Sequence, residues 1–346
     1  MADRSAYGGQ AVIEGVMIRG KERVTTAVRL KDGSIVERRE VADALLMKHK
    51  WLRLAFLRGT PALVDSLRLG YRTLTWSADL TMESEGQEKP SPFVLTLTII
   101  FALAIGIGLF VLFPAFIVQP PEWFTSWFTR HVPDWLVNLL PHFERARHAE
   151  GSGFWVQFIP SKNAILPNIL EGLIRVLMLI GYILLIGRMA DIKRVFAYHG
   201  AEHKVVNAYE AGAELTVDGV RGYSRIHPRC GTSFLFLVFF VGILIHALVG
   251  WPDNAALRMA SRLVLLFPIA GIAYELIRLA GRFRNSGLLK VLVFPGMLLQ
   301  RLTTAEPDDA QIEVALHALR GVLEDEGVLA PQPKEEPVTE TAPATS

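Results

Sequence analysis

Pro92-Phe-Val-Leu-Thr-Leu-Thr-Ile-Ile-Phe-Ala-Leu-Ala-Ile-Gly-Ile-Gly-Leu-Phe-Val-Leu-Phe-Pro-Ala-Phe-Ile-Val118 contains no charged side chain. A helix needs about 20 residues to cross a hydrocarbon core of about 30 Å, and this stretch is longer than that. Ser233–Gly250 has the same character, interrupted only by His246. Ile165–Met189 is apolar apart from Glu171 and Arg175 until Arg188 near its end. Leu257–Ala280 keeps an uncharged middle between Arg258, Arg262, Glu275 and Arg278. Core helices of a large soluble protein are seldom this long and charge-free. The expected fold class is therefore mainly α: a polytopic α-helical membrane protein with about four transmembrane helices and a small N-terminal cytoplasmic β unit.

The first span begins behind a long polar region, so it is expected to stay as an internal anchor rather than serve as a signal peptide. Net charge is only +2 among 346 residues, but the basic residues are unevenly placed. They crowd the region before Pro92, the connection after the second span (Arg188, Lys193, Arg194, Lys204, Arg221, Arg225, Arg229) and the region after Gly281 until its acidic end. The Gln119–Lys162 connection carries few and is rich in Trp, Phe and Pro. Positive-inside bias predicts a multi-pass protein of the cytoplasmic membrane with both termini in the cytoplasm. The Gln119–Lys162 connection then faces outward, with Trp123, Trp127, Trp135 and Trp155 at the interface. Expected partners are the lipid bilayer and an unidentified substrate or protein, with no nucleic acid.

Five segments are expected. Residues 1–41 form a cytoplasmic β unit, in which Lys31-Asp32-Gly33 marks a hairpin between Val24–Leu30 and Ser34–Val41. Residues 42–91 hold a pair of amphipathic helices on the cytoplasmic leaflet, interrupted at Pro61, and a polar linker. Residues 92–299 form the membrane bundle, including its cytoplasmic connection and a short interfacial or re-entrant segment at Leu288–Leu299. Residues 300–326 give a cytoplasmic C-terminal helix over Pro307–Leu323, with Thr304 and Pro307 at its start. Residues 327–346 form a disordered tail rich in Pro, Glu, Thr and Ala.

His199-Gly-Ala-Glu202-His203 lies in that cytoplasmic connection, on a helix expected over Asp191–Ala211 and stopped by Gly212. It reads H-x-x-E-H, the inverted zinc-hydrolase signature. Two imidazoles one helical turn apart share a face and can chelate one divalent ion, most simply zinc. Glu202 beside them can act as a general base toward an attacking water. Glu210 falls on the same broad face, with Asn207 at its edge. His227-Pro-Arg-Cys230 supplies two more potential ligands, and thiolate suits zinc. Glu275, an intramembrane carboxylate, is a distant candidate ligand whose alternative partners are Arg278 and Arg262. Glu171 and Arg175 are spaced as an i,i+4 pair. His246 is expected to hydrogen-bond a neighbouring helix. Gln10–Gly20 holds Glu14 and Arg19 among glycines and β-formers; it reads as a tight β-turn assembly or, less simply, as an anion cradle. The lone Cys230 excludes an intrachain disulfide.

Several blocks together resemble a known family. They are Gly8-Gly-Gln-Ala-Val-Ile-Glu-Gly-Val-Met-Ile-Arg-Gly20, Tyr198-His-Gly-Ala-Glu-His-Lys204, Ser224-Arg-Ile-His-Pro-Arg-Cys-Gly-Thr-Ser-Phe234, Gly271-Ile-Ala-Tyr-Glu-Leu276, Gln300-Arg-Leu-Thr-Thr304 and Glu313-Val-Ala315. The chain resembles the YqhQ-like family of bacterial membrane proteins, a family of unknown function often described as predicted metal-dependent enzymes. The resemblance runs from Tyr7 to Leu319 and leaves out the outer connection and the tail. It implies membrane residence and a metal site, and does not settle the reaction.

The functional expectation is a metal-dependent hydrolase, of which a peptidase is one form, at the cytoplasmic membrane face. The alternative is a membrane scaffold or assembly factor in which the same residues make a structural metal clip or a hydrogen-bonded junction. A small transporter using His246, Glu171 and Glu275 is a third reading, disfavoured by four spans and no internal repeat.

Overall fold

A computed structural model of the chain describes residues 7–42, 54, 56–87, 91–118, 165–250, 254–282 and 287–330. The Gln119–Lys162 connection, the start of the expected interfacial helix pair and most of the C-terminal tail lie outside the described residues.

The N-terminal unit is a four-stranded antiparallel meander: β1 (Gly8–Val12), β2 (Gly15–Arg19), β3 (Arg23–Arg29) and β4 (Ile35–Val41), paired in sequence order. Gly33, at φ +88°, makes the turn that Lys31-Asp32-Gly33 predicts, and Asp32 accepts from the Ser34 amide at 3.0 Å. Gln10–Gly20 is a hairpin, as the tight β-turn reading expects. Its turn residue Glu14 is left-handed at φ +51°. Strand alternation gives the sheet two buried faces. Val16, Ile18 and Ala27 join one core, and Val12, Met17, Val24 and Val28 join another.

The second face meets α1 (Gly59–Ser84) through Leu69, Trp76 and Leu80. α1 is the second helix of the expected pair and begins beside Pro61, while the first lies outside the described residues. Pro61 lies in its first turn, where the missing N–H has no helical acceptor to lose. The first face meets α5 (Ala190–Ala211) and α11 (Asp309–Asp325). α5 ends at Gly212, whose φ of +78° makes the left-handed cap. α11 starts and ends two residues later than the Pro307–Leu323 reading. Its cap is Asp308, which accepts from the Gln311 amide at 2.8 Å while Gln311 Oε1 accepts from the Asp308 amide at 3.0 Å. Thr304 instead donates to the Gln300 carbonyl at 2.8 Å, closing the helix before it.

Four stretches are long and apolar enough to cross a membrane: Phe93–Val118, Asn168–Ile186, Gly231–Val249 and Ala256–Ala280. The first comprises α2 (Pro92–Ile107), a π-helical turn (Gly108–Leu112) and α3 (Phe113–Val118). Pro114 removes the N–H that would bond the Phe110 carbonyl. Arg175, on α4 (Ile165–Ile186), donates to that carbonyl at 2.8 Å and to Val111 O at 3.2 Å. The third stretch is α7 (Gly231–Val249), which follows the short helix α6 (Val217–Arg221). The fourth is divided into α8 (Ala255–Val264) and α9 (Leu266–Arg282). Pro268 accounts for the break, since its ring crowds the carbonyl of Val264. α10 (Gly287–Thr303) is a full helix packed on α7, although it is shorter than a span and contains Pro295.

Among the spans, Glu171 is the polar hub. It meets Arg175 at 2.6 Å, as the i,i+4 spacing predicts, and also Arg262 at 2.6 Å. Arg262 donates further to Asn168 Oδ1 at 2.8 Å, and Asn168 donates to the His246 carbonyl at 3.0 Å. All these side chains are buried. Removing the carboxylate strands two guanidiniums in an apolar interior, a loss of about 3–5 kcal/mol. Glu171→Leu is therefore expected to lower the thermal midpoint of the detergent-purified protein markedly. Arg29→Ala, which breaks a half-exposed pair with Glu313, is expected to cost at most about 1 kcal/mol. Comparable midpoints for the two variants would contradict this ranking.

Candidate metal centre

α5 supplies the centre of the site. Tyr198, Ala201, Val205, Ala208 and Tyr209 of α5 bury one side against the sheet and α11. Each such side chain contributes about 1.5–3 kcal/mol for a large aliphatic and less for alanine, so the helix is held rigidly. Its N-terminal half is also tied to the β1–β2 turn. Arg194 pairs with Glu14, donating from Nε at 2.7 Å, and Tyr198 donates to Glu14 at 3.3 Å. Burial and the Glu14 charge push the Tyr198 phenol above its usual range. Glu14 is thus a tether between turn and helix.

The opposite side of α5 grips the segment after α6. Lys204 donates to Arg221 O at 2.7 Å, His203 Nδ1 to Arg225 O at 2.6 Å, and Asn207 to Ser224 O at 2.7 Å and Ile226 O at 3.1 Å. This wraps residues 221–230 over the helix and delivers His227 and Cys230 to it. Gln300, fully buried on α10, fixes the segment's far end. It accepts from the His227 amide and donates to the His227 carbonyl, both at 2.8 Å, and also donates to Ser233 Oγ at 2.9 Å.

His199, His203 and Cys230 come together, each offering one ligand atom within 4.8 Å of the others. His199 Nδ1 lies 2.9 Å from Thr303 O, and a carbonyl can only accept, so Nδ1 carries the hydrogen. The same argument assigns the hydrogen of His203 to Nδ1, against Arg225 O. Both Nε2 atoms therefore present lone pairs. His199 Nε2 is 3.2 Å from Cys230 Sγ, against roughly 3.5 Å for tetrahedral nitrogen and sulfur ligands of one zinc ion. His203 Nε2 is 3.4 Å from Glu202 Oε2. With His203 neutral, lone pairs of the imidazole and the carboxylate face each other there, an arrangement that either a proton or a metal cation relieves. The donor set thus fits a zinc-type ion.

Gly200 permits this geometry. A Cβ there would sit 2.1 Å from Ala305 O, so the close approach of residues 303–305, which brings Thr303 O to His199, needs a glycine.

The remaining candidates are distributed otherwise. His227 is adjacent to His203, with ring centroids 5.8 Å apart, but lies outside the three-ligand group. Its Nδ1 accepts from the Arg229 amide at 3.4 Å, which places the hydrogen on Nε2, 3.7 Å from Glu210. Glu210 is held by Arg229. Asn207 is the loop clamp described above. Glu275 is engaged away from this group: it accepts from Arg58 through both oxygens and from the Phe56 amide at 3.4 Å, so its hydrogen-bonding partner is Arg58 rather than Arg278 or Arg262. Arg19 lines a small recess with Asp65, Arg68 and Arg72. His246 Nδ1 donates to Gly242 O on its own helix at 2.7 Å, rather than to a neighbouring helix. Gln300 was not singled out from the sequence as a site residue. Its position at the end of the apolar run Val291–Leu299 is the signal that could have found it.

Residues 54–325 match the model of the DUF1385 family, described as a protein of unknown function. The chain belongs to this family. It is also 34% identical to the uncharacterized protein YqhQ of Bacillus subtilis (strain 168) over 331 residues, covering 92% of each chain. No solved structure matches it.

Because Cys230 is the sole cysteine and is buried, its labelling reports on the wrap. Gly200→Ala and Gln300→Leu are each expected to raise the labelling rate of the detergent-purified protein by a thiol-specific reagent at least tenfold. Wild-type rates in both variants would show that these contacts do not hold the segment.

Proposed function

We propose that this chain is a metal-dependent hydrolase of the cytoplasmic membrane whose site faces the cytoplasm. The observation that carries the reading is the convergence of two bare Nε2 lone pairs and one thiol, with Glu202 directly beside them. Each imidazole is oriented by a backbone carbonyl on its other nitrogen, the outer-shell arrangement common to metal-ligating histidines. Three protein ligands leave one position for water or substrate, as catalytic zinc sites require and closed structural sites do not.

When bound, a zinc-type ion would make water acidic enough to attack at neutral pH and would polarise a carbonyl or phosphoryl oxygen. Glu202, buried with its carboxylate turned toward the ligand group, takes the proton from the attacking water. His227, whose Nε2–H makes no hydrogen bond among the described residues and lies 3.7 Å from Glu210, donates a hydrogen bond to the oxygen that gains charge. Glu210 and Gln300 hold His227 in place. A peptidase is one form of this chemistry.

Packing supports the topology. The sheet before the first span, α5 between the second and third, and α11 after the fourth share one hydrophobic core. Four crossings would put these three segments on one side of a membrane, which is consistent with their packing together. The basic residues before the first span and in the connection after the second favour the cytoplasm for that side.

The scaffold reading has one observation in its favour. The thiol of Cys230 can hydrogen-bond His199 without any metal. Glu202→Gln separates the two readings, because it keeps side-chain shape but cannot accept a proton. Protein purified from membranes is expected to hold about one zinc ion per chain, and His203→Ala to lose it. Glu202→Gln is expected to keep metal and thermal midpoint while failing to complement a deletion strain, since loss of a general base costs about 10²–10⁴-fold in rate. Full complementation by metal-replete Glu202→Gln would exclude the water-activating role and favour the structural clip.

A further inference from the structure

A second polar site lies at the far end of α7. Cys230 caps the N-terminus of this helix and His246 occupies its last turn. At 1.5 Å per residue the two are about 24 Å apart. A cavity of about 260 Å³ opens beside His246, between the π-helical turn, α4, α7, α8 and α9. Leu179, Phe239 and Leu266 are among its apolar walls, whereas Arg175, Arg262 and His246 form its polar part. Glu171, which meets both guanidiniums, is not among the lining residues. The wall therefore presents cationic groups and no carboxylate.

Three details define what would fit. His246 is buried, its Nδ1 is committed to Gly242 O, and its Nε2 has no partner among the described residues. That Nε2 carries a lone pair and calls for a donor. Arg175 uses Nε and Nη2 on the Phe110 and Val111 carbonyls and on Glu171, which leaves Nη1 out of those bonds. It calls for an acceptor. The remaining wall calls for an alkyl chain. A phosphate monoester in its monoanionic form has oxygens that accept, one P–OH that donates, and a chain if the ester is a lipid.

We propose that this cavity binds a single-chain alkyl phosphate, with the phosphate held by Arg175, Arg262 and His246 and the chain along the apolar wall. Binding depends on both parts of the amphiphile. The π-helical turn has a role here, because it and Pro114 present the carbonyls that orient Arg175.

The test uses full-length protein in nanodiscs of zwitterionic phosphatidylcholine, titrated calorimetrically with dodecyl phosphate, dodecanol and inorganic phosphate, with empty nanodiscs as the blank. Dodecyl phosphate is expected to bind at one site per chain. Dodecanol and inorganic phosphate are each expected to bind at least tenfold more weakly. Gly242 lines the cavity, and a Cβ there meets only Ile269 at 3.8 Å. Gly242→Leu is thus expected to fill the space and weaken dodecyl phosphate binding at least tenfold at an unchanged thermal midpoint. Val238→Phe, on the same wall, serves if Gly242→Leu does not fold. Equal binding of dodecanol would make the cavity a plain lipid groove, and equal binding of inorganic phosphate would make it an anion site that needs no chain. Unchanged affinity in a folded plug variant would place the ligand elsewhere. Each of these outcomes overturns the proposal.

Discussion

The carbonyls of Arg221, Ser224, Arg225 and Ile226 are taken by side chains of α5, namely Lys204, Asn207 and His203. Backbone acceptors in a packed connection must find donors, and here the donors come from one helix. That constraint determines the rest of the site. His203 cannot satisfy Arg225 O without turning its other nitrogen toward His199 and Glu202. The segment so anchored reaches α7 with Cys230 at the helix cap, 3.2 Å from His199. One set of hydrogen bonds thus folds the connection, selects the histidine tautomer and assembles the ligand group.

The second organising fact is the distribution of the core. Segments separated by long apolar stretches of the chain meet in one packed body of sheet, α5 and α11. Arg39 of β4 and Glu324 of α11, 285 residues apart, bond at 3.0 Å. The body stabilises the site from one side, and α10 with Gln300 does so from the other. Polar residues among the spans are likewise gathered: Asn168, Glu171, Arg175 and Arg262 bond to one another or to helix carbonyls. Charge in an apolar interior is tolerated only when it is paired in this way.

Much of this was legible in the sequence because it is local. Uncharged runs located the four apolar stretches, Lys31-Asp32-Gly33 located a hairpin, and Gly212 stopped a helix. The spacing of His199 and His203 placed two imidazoles on one face, and the recurrence of His227 and Cys230 placed two more donors nearby. What stayed hidden depends on pairing between distant segments. Glu275 meets Arg58 across 217 residues, and no periodicity carries that information. The joining of Arg262 to Glu171 and the clamp of Gln300 on His227 are hidden for the same reason. The break before α9 was visible in principle at Pro268, but the apolar pattern runs through it and masked it. Asp308 rather than Thr304 caps α11 because the capping box with Gln311 satisfies two amides at once.

The account stands or falls on whether His199, His203 and Cys230 act as one ligand set, and cobalt(II) reports this most directly. Titration of metal-free protein with cobalt should give one equivalent bound, with the visible intensity of a four-coordinate ion and a sulfur-to-cobalt charge-transfer band in the near ultraviolet. Cys230→Ser should lose the charge-transfer band, and His199→Ala should weaken binding severely. Absence of binding by folded wild type, or a bound ion without the sulfur band, would contradict the assignment.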